Sequence, residues 1–78
     1  MIDLNKTTIT GMVVGNDGDD TINVDNGSKV AKSVYGNDGK DTITIDNNSV
    51  VSKNVFGNAG EDTIVVQGGA KVDGWVLG

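Results

Sequence analysis

Polar and apolar positions along this chain follow two rhythms at once. Locally they alternate, as in Thr42-Ile43-Thr44-Ile45-Asp46, and a period of two predicts a strand with Ile43 and Ile45 on one face. Over a longer range the alternating stretch returns every 21 residues. Ile22, Ile43 and Ile64 fall in one column, and Val24, Ile45 and Val66 in the next. Val30, Val51 and Val72 form a third column, and Val34, Val55 and Val76 a fourth. A polar turn follows each alternating stretch (Asn26-Gly27-Ser28, Asn47-Asn48-Ser49, Gly68-Gly69-Ala70), and a second extended segment then runs to a glycine-rich loop. One copy cannot bury its own apolar face, whereas equivalent strands stacked about 4.8 Å apart in a parallel ladder bury a continuous Ile/Val column. The fold expected is all-β: a parallel β-solenoid of about four coils, right-handed by the general rule for crossover connections.

The boundaries follow from the repeat. Full coils cover 15–35, 36–56 and 57–78, and residues 1–15 read as a partial coil that has lost its loop. In that partial coil, with one deletion allowed, Ile2 and Leu4 match the first strand and Ile9, Val13 and Val14 the second. The whole chain, 1–78, is then a single repeat domain. Strict alternation from Val30 to Val34 would point Lys32, Lys53 and Gly74 inward, and a buried lysine column without partners is too costly. A corner near Lys32 is expected instead, giving each coil a triangular or D-shaped section. The column Val14, Tyr35, Phe56, Leu77 adjoins a core column. It is either an exposed apolar stripe, which would mark lateral association, or is buried by a local bend.

Composition narrows the chemistry. There are 12 Gly, no Pro, no Cys and no His, and a helix is opposed by the glycines and the β-branched runs. A chain this short seldom builds a core worth more than about 3–5 kcal/mol and often needs a metal or a neighbouring subunit. Six lysines against eleven acids give a formal charge of −5. That disfavours nucleic acid and anionic membrane and suits a cation. No apolar run reaches the roughly 18–20 residues of a membrane span. The first residues, MIDLNKTTITG, show no cleaved signal peptide. With no Cys, no His and no nucleophile elbow, the chain is expected not to be an enzyme and to have no small-molecule substrate.

The loops carry the most specific signal. Gly15-Asn16-Asp17-Gly18-Asp19-Asp20-Thr21-Ile22-Asn23 recurs at 36–44 and 57–65. These segments resemble the nonapeptide of the RTX (repeats-in-toxin) family, G-G-x-G-x-D-x-U-x, with Asn in the second place. Asn tolerates the left-handed backbone that glycine adopts there. The resemblance covers 27 of 78 residues and implies Ca²⁺ bound between successive loops. The implied ligands are Asp20, Asp41 and Asp62, with carbonyls from loop residues such as Gly15, Gly18, Gly36, Gly39, Gly57 and Gly60. Asp17 and Asp38 could add oxygens, and Ala59 in their column would leave the third loop poorer. Twelve residues separate successive nonapeptides, so the ions would line one edge of the solenoid.

Elementary electrostatics points the same way. Carboxylates stacked roughly 5 Å apart repel by about 3 kcal/mol per neighbouring pair at an effective dielectric of 20, and Ca²⁺ suits such oxygens. The alternative is that each Asp caps backbone N–H groups in an Asx-turn with its charge facing water. Ends without a polar cap expose strand edges and invite head-to-tail contact with further copies. The expected function is an extracellular or cell-surface structural protein, Ca²⁺-stabilised, that self-associates into fibres or a matrix. One alternative is an RTX-like Ca²⁺-binding module of a larger secreted protein or adhesin. Another is an ice-binding solenoid, whose outward threonines would be Thr21, Thr42 and Thr44.

Overall fold

The structure, a computed structural model, describes all residues from Met1 to Gly78. It contains strands and turns and no helix. The first coil holds β1 (Ile2–Asn5), β2 (Thr8–Ile9) and β3 (Val13–Val14). The second holds β4 (Thr21–Asp25), β5 (Lys29–Val30) and β6 (Val34–Tyr35), and the third β7 (Thr42–Ile45), β8 (Val50–Val51) and β9 (Val55–Phe56). The fourth holds β10 (Thr63–Val66), β11 (Lys71–Val72) and β12 (Val76–Leu77).

Three parallel sheets result: sheet I is β1-β4-β7-β10, sheet II is β2-β5-β8-β11 and sheet III is β3-β6-β9-β12. They wrap a β-solenoid of four coils. Ile22 pairs with Ile43 and Ile43 with Ile64, which is a step of one 21-residue repeat. In the first coil Ile2 pairs with Ile22 but Ile9 with Val30. The missing residue therefore lies between Asn5 and Thr8, where Lys6 takes a φ of 52°.

The core is the predicted stack. Ile22, Val24, Val30, Val34, Ile43, Ile45, Val51 and Val55 are fully buried, and Leu4 and Val13 extend the cluster into the first coil. The corner expected near Lys32 is present: the chain bends between β5 and β6, and Lys32 and Lys53 are exposed. Three short sheets per turn give the triangular section, one of the two shapes such a corner implies. Tyr35 and Phe56 lie on the outer face of sheet III, half-buried, with rings stacked at 5.5 Å.

The turn between sheets I and II is set by backbone chemistry. Between sheets I and II, Asn26-Gly27 and Asn47-Asn48 both take positive φ, as do Gly68-Gly69. Asn and Gly are the residues that tolerate two such conformations in succession.

Candidate functional site: the aspartate corner

A parallel ladder leaves backbone N–H groups without partners wherever the strands stop, and a buried donor must be satisfied by something else. This chain meets the need with a column of polar side chains at each corner. Between sheets I and II, the N–H of Thr7 donates to Ser28 Oγ and that of Ser28 to Ser49 Oγ, both at 3.1 Å. Between sheets II and III, the N–H of Asn54 donates to Ser33 Oγ at 3.1 Å and that of Trp75 to Asn54 Oδ1 at 2.7 Å. Between sheet III and sheet I of the next coil, the N–H of Asp20 donates to Asp41 Oδ1 and that of Asp41 to Asp62 Oδ1, both at 2.9 Å.

The third corner differs from the others in charge. Its caps are carboxylates, and the second oxygen of each, Oδ2 of Asp20, Asp41 and Asp62, is buried with no hydrogen-bond partner. Asp41, in the middle, is 1% exposed. Burial pushes its carboxyl above the ordinary value of 3.8; the N–H of Asp20 draws it down, and the charges of Asp62 and Asp20 push it further up. The capping alternative thus holds in one half and fails in the other. The aspartates do cap N–H groups, but those of the neighbouring coil rather than of their own loop. Their free oxygens are enclosed rather than facing water.

The loop is shaped around these oxygens. A Cβ added at Gly36 would stand 2.6 Å from Asp41 Oδ2, and one at Gly15 would stand 2.9 Å from Asp20 Oδ2 and 3.0 Å from the carbonyl oxygen of Gly36. The first glycine of the motif is therefore required by the carboxylate lying against it. Asn16, Asn37 and Asn58 adopt φ of 67–70°, the left-handed backbone expected of the second place. Gly39 has φ of +108°, and a side chain there would land on the carbonyl of Gly18 in the coil below. No carbonyl from Gly15 to Asp19, from Gly36 to Lys40 or from Gly57 to Glu61 accepts a hydrogen bond from a backbone N–H.

The other expected ligands are placed differently. Asp17 and Asp38 are exposed on the loop surface, and no three acidic side chains converge on one point. Carboxylates alone therefore do not make a metal shell in this structure. Of the loop carbonyls, that of Gly36 stands beside Asp20 Oδ2, both within 3.0 Å of the position a Gly15 Cβ would take. An enclosed carboxylate oxygen without a partner, in a cradle that a Cβ would fill, is a fit for a hard cation that takes oxygen ligands. Sequence reasoning missed the serine and asparagine columns. Their signal was present, since Ser28 and Ser49 stand one repeat apart, as do Ser33 and Asn54.

Comparison with known protein families, curated proteins and solved structures returned no match. The likeness to the repeats-in-toxin nonapeptide accordingly rests on the three loop segments themselves and on their backbone conformation.

Proposed function

We propose that this chain is an extracellular structural protein, a Ca²⁺-stabilised β-solenoid whose end faces stack on further copies. The observation that carries the cation is an excess of charge. At the second corner Asn54 supplies the same kind of N–H cap with a neutral side chain, so capping alone does not need a carboxylate. All three copies nevertheless place an acid at the third corner and leave one oxygen of each enclosed. Asp20, Asp41 and Asp62, with loop carbonyls such as those of Gly15, Gly18, Gly36, Gly39, Gly57 and Gly60, would hold the ion. Bound there, Ca²⁺ would supply positive charge between coils and offset the repulsion along the column. External fluid, where Ca²⁺ is abundant, is the setting this chemistry fits.

Support for stacking comes from where apolar surface remains exposed. Every large exposed hydrophobic side chain belongs to the first or last coil: Met1 and Met12 at one end, and Val66, Trp75, Val76 and Leu77 at the other. Val66 and Val76 occupy core columns yet are 40% and 43% exposed. A further coil would cover them, whether from a second copy or from more of the same chain, as in the module of a larger secreted protein.

Calorimetric titration with Ca²⁺ tests the first half of this reading: saturable binding that is lost in Asp20→Asn/Asp41→Asn/Asp62→Asn supports it, and no heat from either protein refutes it. Electron microscopy of the calcium-loaded chain tests the second half. Elongated particles 20–27 Å wide are expected, since four rungs rise only about 14 Å and the longest extent lies across the coil, and a uniform population of single solenoids at high concentration would refute stacking.

A further inference from the structure

The charges are distributed unevenly around the coil. Lys29 and Lys71 project from sheet II, Lys32 and Lys53 stand at the corner that follows it, and all four are exposed. The only acid on that side is Asp73. The remaining ten acids lie on the outer face of sheet I or in and beside the glycine-rich loops. On sheet I, Asp3, Asp25 and Asp46, with Asn23 and Thr44, line a shallow cleft of about 270 Å³.

Both sets of charge repeat with the coil. Lys32 and Lys53 are one repeat apart, and so are Asp25 and Asp46. Parallel rungs have one common spacing, about 4.8 Å, so two solenoids lying side by side can match charge to charge at successive rungs. We propose that the basic side of sheet II docks laterally against the acidic face of sheet I on a second copy of this chain. A copy fits better than a free polyanion, because it carries acids at the same rung spacing as the lysines. The two surfaces differ, so the contact is heterologous and does not close: each copy can take a neighbour on both sides.

The contact is small. The molecule measures 27 × 20 × 20 Å, so one face offers less than the roughly 800 Å² per partner of a standard stable interface. Pairing is therefore weak, electrostatic and sensitive to salt. It requires neither the cation nor the end-to-end stacking, and its test separates it from both.

Isotopically heavy and light chains are mixed at high concentration, treated with a carbodiimide that joins amine to carboxylate, and the cross-linked peptides are read by mass spectrometry. The expected result is heavy–light links from Lys29, Lys32, Lys53 or Lys71 to Asp3, Asp25 or Asp46. These links should fade as salt rises from about 0.01 to about 1 M and the Debye length falls from roughly 30 to 3 Å. Heavy–light links confined to loop acids, or none, would overturn the proposal. So would links that persist undiminished at about 1 M salt, because the pairing would then not be one of charge with charge. The variant Lys29→Glu/Lys32→Glu/Lys53→Glu/Lys71→Glu should keep the wild-type far-UV spectrum and lose lateral association. Undiminished association in that variant would also overturn the proposal.

Discussion

Asp41 shows how one side chain can both hold a coil together and strain it. Its Oδ1 accepts the N–H of Asp20 while its Oδ2 sits enclosed against Gly36. Its proton is held more tightly in the folded chain than in the unfolded one. The stability this group contributes is therefore fully present below about pH 3.8 and is lost as pH rises through its raised folded value. In chelator, the wild-type chain should melt at a higher temperature near pH 4 than near pH 7. Asp41→Asn should flatten that dependence and, at neutral pH in chelator, raise stability on the order of 1–3 kcal/mol by removing the repulsion of two neighbours. Thermal denaturation followed by circular dichroism checks both statements. A variant that melts lower than wild type in chelator at neutral pH would contradict them.

At the scale of the element, the short strands depend on their corner columns. Ser49 is fully buried, and its hydroxyl accepts the N–H of Ser28. Ser49→Ala should cost about 0.5–1.5 kcal/mol, the net contribution of one hydrogen bond, because the N–H of Ser28 keeps the carbonyl of Asp25 at 3.3 Å, as read from urea unfolding. Gly39→Ala should cost more, because positive φ and a collision with the carbonyl of Gly18 act together; loss of the cooperative transition is the expected readout. The strands of sheet I were legible because Ile43 and Ile45 alternate with Thr42 and Thr44. The corner at Lys32 was legible because a buried lysine is costly. Sheets II and III were harder to separate, since two-residue strands such as Lys29–Val30 and Val34–Tyr35 are too short to show a period. The aspartate column was found from its register. The direction of its hydrogen bonds, from one coil to the next, was invisible because sequence gives the rung and not the tilt of the side chain. The enclosure of Oδ2 depends on that tilt and was hidden with it.

For the whole molecule, a core one side chain wide is continued by stacking, and its last rung is left open. Val66→Lys with Val76→Lys should lower stability by about 1–3 kcal/mol, since more than half of each side chain is covered, while leaving the β far-UV spectrum intact and abolishing elongated assemblies in sedimentation and microscopy. Persistence of those assemblies would place the contact elsewhere. Three stacked carboxylates are a large charge for so small a molecule, and a cation bound along that edge would offset it. The most direct test is a pair of melting curves at neutral pH, one in chelator and one in millimolar Ca²⁺. Each is recorded for the wild type and for Asp20→Asn/Asp41→Asn/Asp62→Asn. Saturating a site contributes about 2.7 kcal/mol at a hundredfold excess over its dissociation constant, so the wild-type midpoint should rise by more than about 10 °C while the variant's stays where it is. Superimposable wild-type curves in chelator and in calcium would contradict the account.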